Sequence, residues 1–142
     1  MEKNEFCNCD AFRKISSNMT KIYDDALLAS GLKVTQYGLL KYINILKNST
    51  LKDLSVSMGR NRNTLGRNIK VLERQNFIYL RKGKDKREIN ISITKKGYQV
   101  LKVARKCWVN INDEMTKNLG INRKKILDEI LNDKIFKTRE LM

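Results

Sequence analysis

Thr50-Leu51-Lys52-Asp53-Leu54-Ser55-Val56-Ser57-Met58-Gly59-Arg60-Asn61-Arg62-Asn63-Thr64-Leu65-Gly66-Arg67-Asn68-Ile69-Lys70-Val71-Leu72 decides the fold of this 142-residue chain. Thr50 and Asp53 have the spacing of a capping box, in which each side chain accepts from the other residue's backbone N–H. The short helix begun there, 51–57, runs into Met58-Gly59, where glycine permits a tight turn. Asn61 is placed to cap the next helix, 62 to about 75, with Leu65, Ile69 and Leu72 inward. Helix, glycine-containing turn, helix is the helix-turn-helix pattern.

Downstream, Phe77-Ile78-Tyr79-Leu80 and Glu88-Ile89-Asn90-Ile91-Ser92-Ile93 read as two strands. The second alternates, with Ile89, Ile91 and Ile93 on one face. Between them Arg81-Lys82-Gly83-Lys84-Asp85-Lys86-Arg87 forms a glycine-containing hairpin tip with five cations and one anion, a basic wing. Thr94 then caps a long helix, 95 to about 118, with Tyr98, Leu101, Ala104, Trp108, Ile111 and Met115 on one face. Gly120 ends it. A last amphipathic helix, 122 to about 136, carries Ile126, Leu127, Ile130, Leu131 and Ile135.

Upstream, Phe12, Ile15, Met19, Ile22, Ala26 and Ala29 recur at spacings of three and four, which makes 10–29 a helix with Asp10 as N-cap and Gly31 as stop. A second helix spans 35 to about 47, with Leu39, Leu40, Ile43 and Leu46 inward. The expected class is mainly α with a small β-hairpin wing: one domain over 1–142, with a winged helix-turn-helix at about 35–94. Terminal helices at about 10–30 and 95–137 flank it. Their apolar faces lie outside a small winged unit and need covering, and the economical cover is a second copy of the chain. A homodimer is expected.

Charge singles out the same region. The chain carries 30 basic and 15 acidic residues, net +15. Residues 60–96 hold 12 of the basic and 3 of the acidic groups, net +9, so more than half the excess lies in about a quarter of the chain. A cationic segment inside one structured motif fits a phosphate-binding face better than a general solubility device. With Leu65, Ile69 and Leu72 buried, Arg62, Asn63, Gly66, Arg67 and Lys70 remain outward, flanked by Arg60 and Thr64. Arginine's fork of donors matches guanine O6 and N7, and asparagine pairs both ways with adenine; the same groups also bind phosphate. In the wing, an arginine on a thin hairpin can enter a minor groove of negative potential. The candidate contacts to double-stranded DNA are Arg60, Arg62, Asn63, Thr64, Arg67, Asn68, Lys70, Lys84 and Arg87.

The sequence resembles the MarR family of bacterial regulators. The likeness runs through Leu51-Lys52-Asp53-Leu54-Ser55, Asn63-Thr64-Leu65-Gly66-Arg67-Asn68, Leu72-Glu73-Arg74-Gln75-Asn76-Phe77-Ile78, the Asp-x-Arg form of Asp85-Lys86-Arg87, and Ile93-Thr94-Lys95-Lys96-Gly97. It extends from roughly Phe12 to Phe136 in the family's order of elements. It implies a dimer joined by its terminal helices, usually a repressor that occludes a promoter and binds a palindromic operator. Asn76 stands where members often have glycine, and asparagine also tolerates a left-handed stop. Gly66 stands where members often carry a Thr or Ser that touches DNA, which leaves the operator sequence open.

Cys7, Cys9 and Cys107 are the only cysteines, and histidine is absent. Three thiols without histidine make a poor zinc set, so no metal is expected. Some members of the family sense oxidants through an N-terminal cysteine, and a number of relatives have Cys-x-Cys just before the first helix. The readings left open are inert reduced cysteines, an oxidant sensor, metal binding, and release by a small organic ligand between the dimer helices and the winged unit. No cofactor is expected. The usual catalytic constellations are missing, so the chain is not expected to be an enzyme. A non-specific nucleic-acid-binding protein is the rival reading. No signal-peptide-like start and no apolar run of roughly 20 residues is present, so a cytoplasmic protein without membrane contact is expected.

Overall fold

In the computed structural model, which describes residues 5–85 and 87–137, five helices surround one hairpin. They are α1 (Asn8–Ala26), α2 (Val34–Leu46), α3 (Leu51–Met58), α4 (Arg62–Arg74), β1 (Ile78–Lys82), β2 (Ile89–Ile93) and α5 (Lys95–Asn132). Short 3-10 turns follow α1 at Leu28–Ser30 and α5 at Lys134–Phe136. The mainly α winged helix-turn-helix expected from the sequence is the fold observed.

The N-terminal boundaries differ from expectation by a turn, for local reasons. Cys7, not Asp10, caps α1: the Asp10 N–H donates to Cys7 Sγ at 3.5 Å. Asp10 instead sits in the first turn, where a carboxylate opposes the helix dipole, and pairs with Lys14 at 2.9 Å. The helix stops at Ala26 rather than Ala29, and Gly31 (φ 78°) closes the 3-10 turn that follows. Asp24 then reaches forward, its Oδ1 accepting the Val34 N–H at 2.8 Å, so the end of α1 helps start α2.

The core lies in the middle of the chain. Leu27, Leu39, Leu40, Ile43, Leu54 and Leu72 are fully buried, and α2 contacts α3, α4, β2 and α5. Leu46, expected inward, is 37% exposed in the last turn of α2, beyond the reach of the elements packed on it. Tyr37 is buried instead, its ring 5.8 Å from that of Trp108. Strands β1 and β2 pair antiparallel with Ile78 opposite Ile93, Leu80 opposite Ile91 and Lys82 opposite Ile89. Ile91 is buried, but Ile89, expected on the same covered face, is 51% exposed because that end of the hairpin projects past the core.

Gly120 divides α5 as expected, with φ 77° and ψ 166° in an otherwise helical run. Helix resumes at once beyond it and ends at Asn132, short of the expected Phe136. Leu101 and Ala104 are buried and Trp108 and Ile111 half-covered, while Tyr98 lies 45% exposed with the Lys102 ammonium 4.8 Å from its ring centre. Phe12, Ile15 and Ile22 on α1 and Ile126, Leu127 and Leu131 on the distal arm of α5 remain exposed. No helix among the described residues is long and apolar enough to cross a membrane.

Candidate nucleic-acid interface

The helix-turn-helix is built from short-range hydrogen bonds. Thr50 Oγ1 accepts the Asp53 N–H at 3.1 Å and Asp53 Oδ2 accepts the Thr50 N–H at 3.0 Å, closing the capping box. The Thr50 backbone N–H, and then its hydroxyl, hold the Asp53 carboxyl below its ordinary range. Gly59 ends α3 in the left-handed region (φ 62°, ψ 40°). Ser55 Oγ donates across the turn to the Arg60 carbonyl at 2.6 Å, and Asn61 Oδ1 accepts the Asn63 N–H at 2.8 Å to start α4. Between the two helices lies an open concavity of about 460 Å³, lined by Ser55, Val56 and residues 59–63.

Leu65, Ile69 and Leu72 anchor α4 in the core. Asn63, Arg67 and Lys70, at spacings of four and three, therefore form one exposed row on the opposite face, with Arg60, Arg62 and Thr64 exposed beside it. Asn68 departs from its expected place: it is half-buried on the flank nearer the core. A Cβ added to Gly66 meets nothing within 4 Å, so the protein's own packing does not require glycine there.

In the wing Asp85 is a turn former. Its Oδ1 accepts the Arg87 N–H at 3.3 Å and its carbonyl the Glu88 N–H at 2.9 Å, while Gly83 N–H donates to the Glu88 carbonyl at 2.8 Å. Lys84 and Arg87 are exposed on either side of that turn, and Lys86 lies outside the described residues. At its base the hairpin is clamped to α5. The Thr94 N–H donates to the Phe77 carbonyl at 3.0 Å, and Thr94 Oγ1 to the Asn76 carbonyl at 2.6 Å. Among the described residues the ion pairs are Asp10–Lys14 and Lys124–Asp128, both outside 60–96. The described cations of α4 and the wing thus keep their charge unpaired by carboxylates, the condition under which a surface attracts phosphate.

No protein-family profile matches the sequence, and no curated protein is significantly similar to it. Solved structures are. The transcriptional regulator MosR of M. tuberculosis, crystallised in complex with DNA, is 31% identical. The match covers 89% of this chain and 92% of MosR, with a TM-score of 0.80. The chain belongs to the MarR family.

Two more distant members share the fold. MepR of S. aureus, in a DNA complex, is 22% identical over 89% of this chain and 95% of its own, with a TM-score of 0.76. A MarR variant of E. coli with operator DNA is 17% identical over 86% and 89%, also with a TM-score of 0.76. Asn76, in the place of the family's glycine, adopts φ 63° and ends α4 left-handed.

The three cysteines are free and apart from the helix-turn-helix. Cys7 and Cys9 are exposed at the start of α1, and Cys9 lines an open concavity of about 500 Å³ with Phe12, Arg13, Ser16 and Ser17. Cys107 is half-buried against the core. Sequence reasoning missed Asn48 and the internal role of Arg81. Asn48 Oδ1 accepts from Ser92 Oγ at 2.7 Å and from Arg81 Nη2 at 3.4 Å. No local pattern marks these contacts, because the partners lie 44 and 33 residues away.

Proposed function

We propose that this transcription regulator binds double-stranded DNA sequence-specifically as a homodimeric repressor on a palindromic operator. The observation that carries the reading is the exposed row Asn63, Arg67 and Lys70 on α4, beside a basic wing and free of carboxylate partners. The helix presents base-reading side chains to a major groove, and Lys84 and Arg87 reach an adjacent minor groove or its phosphates. MosR, a member 31% identical, is crystallised with DNA. Residues 35–94 form the reading unit and 10–30 with 95–137 the dimerisation helices. The uncovered apolar faces of α1 and of distal α5 support the dimer. Two recognition helices related by a twofold axis then meet successive major grooves about 34–36 Å apart. The role assigned is binding in the cytoplasm, without a catalytic step.

The test is a gel-shift on duplexes selected from random DNA, with excess competitor. Arg67→Ala should relax sequence choice more than it weakens non-specific binding. Arg87→Ala should cost roughly 1–3 kcal/mol without unfolding the protein. Equal losses on selected and random DNA for both variants would make the chain a non-specific nucleic-acid coat.

For the signal, the reading is an oxidant. Cys7 and Cys9 are exposed at the start of α1, where an oxidant in solvent reaches them, and Cys7 Sγ accepts the Asp10 N–H there. A hydroperoxide would convert a thiol to sulfenic acid, leaving water or an alcohol, and a second thiol, Cys107 included, would condense to a disulfide with loss of water. Because these residues begin the first dimer helix, a bond there shifts the two reading units together. Peroxide should release DNA from the wild type and reductant restore it, with Cys7→Ser or Cys9→Ser resistant. Identical behaviour of all three would favour a small organic effector.

A further inference from the structure

The loop between α2 and α3 holds two consecutive non-glycine residues at positive φ, Lys47 (φ 48°, ψ 140°) and Asn48 (φ 41°). Side chains rarely adopt this conformation, and surrounding structure must over-determine it where it occurs. Here the compensation comes from the wing. Asn48 Oδ1 accepts from Ser92 Oγ on β2 and from Arg81 Nη2 on β1, so both strands converge on one amide oxygen. Next to it the Ser49 carbonyl accepts the Ile91 N–H at 2.8 Å, which lays the loop beside β2 as a rudimentary third strand. Arg81 is held in place by stacking, its guanidinium carbon 5.1 Å from the centre of the Tyr79 ring.

A two-stranded hairpin is marginal alone, and the clamp at Thr94 holds only its base. The Asn48 contacts are made further along the hairpin, at the pairs Tyr79–Ser92 and Arg81–Asn90. The same loop reaches the α3 cap two residues later, at Thr50. We propose that Asn48 is a positioning residue for DNA binding, a clasp that sets the direction of the wing relative to the helix-turn-helix. It acts through Arg81 and Ser92 and touches no DNA itself. The proposal rests on the DNA-binding reading above and assigns the wing's contribution to a residue some 40 positions before it in sequence. Without the clasp the hairpin still forms but pivots at its base, and the tip residues lose their register with the groove that α4 addresses.

The experiment is a double-mutant cycle with full-length protein and a duplex selected from random DNA by the wild type. Asn48→Gly removes the side chain while easing the positive φ, and Asn48→Asp keeps the acceptor oxygen. In the wild type, Arg87→Ala should weaken binding about 5- to 150-fold. In the Asn48→Gly background the same change should cost less than about twofold, and in Asn48→Asp its full effect should return. Arg67→Ala should cost the same in every background, a result that general destabilisation would not produce. Amide exchange at Ile91 should also accelerate in Asn48→Gly while Leu65 and Leu72 on α4 stay protected. An unchanged Arg87 penalty, an Arg87 without effect in the wild type, or unaltered exchange at Ile91 overturns the clasp. Failure of the wild type to select any duplex overturns the DNA-binding reading, with the exchange result still judging the clasp.

Discussion

The middle of the molecule and its two ends follow the same hydrophobic periodicity with opposite results. Among the described residues, every buried apolar core residue lies from Leu27 to Ala104. The 19-residue helix α1 buries none, and α5 buries none after Ala104. Yet Phe12, Ile15, Met19 and Ile22 recur as regularly as Leu65, Ile69 and Leu72. An apolar stripe marks a face that must leave water; it does not say what covers it. In the middle the cover is the same chain, which folds α2, α3, α4 and β2 around Leu39, Leu40 and Ile43. At the ends the described chain covers its own stripes only in part: Phe12 lines an open concavity with Ile130, Leu131 and Phe136, yet Phe12, Leu131 and Phe136 stay exposed.

Truncating the middle and the ends in parallel breaks or sharpens the contrast most strongly. Leu39→Ala should destabilise the protein by about 4 kcal/mol in denaturant unfolding, since a fully buried leucine leaves a cavity. Ile126→Ala, exposed on the distal arm, should change unfolding of the isolated protomer little. A comparable loss from both would mean that the ends carry intramolecular core after all. Next in size, Phe12→Glu combined with Leu131→Glu should lower self-association by about 3 kcal/mol, seen by light scattering as a monomer at micromolar concentration. Circular dichroism should show the helices intact. A persistent dimer would move the interface elsewhere.

At the seam between the regions, Gly97 is buried where α5 starts under the wing. A Cβ there would sit 2.0 Å from the Phe77 carbonyl oxygen, a backbone atom that cannot swing aside. Gly97→Ala should therefore cost about 2 kcal/mol and lower the midpoint of thermal unfolding. An unchanged midpoint would show that α5 and the wing base are free to separate.

The smallest effect concerns the α3 cap. Asp53 has a folded-state pKa lowered by the Thr50 N–H and hydroxyl, so its stabilisation is present above the ordinary aspartate value of about 3.9. It is lost as pH falls through the folded value. The stability gap between wild type and Asp53→Asn should be constant near neutrality and close on acidification. A gap that widened in acid would contradict the capping assignment.

The helix-turn-helix was legible because its instructions are local. The Thr50–Asp53 box, the Gly59 turn, the Asn61 cap and the period of Leu65, Ile69 and Leu72 each act within a few residues, so residue type and spacing suffice. Charge along 60–96 pointed to the same surface, and the structure leaves Arg60, Arg62, Asn63, Thr64, Arg67, Lys70, Lys84 and Arg87 exposed as read. Asn68 sits nearer the core than its sequence neighbours imply, because helical rotation brings it to the flank of the buried row. The sequence by itself determined the elements, their order and the exposed row on α4. Tertiary structure alone decided that Tyr37 stacks on Trp108, that Asp24 starts α2, and that Asn48 meets Ser92 and Arg81. Those contacts join residues far apart in the chain, and their geometry is set by how whole elements pack, which no local pattern of residues encodes.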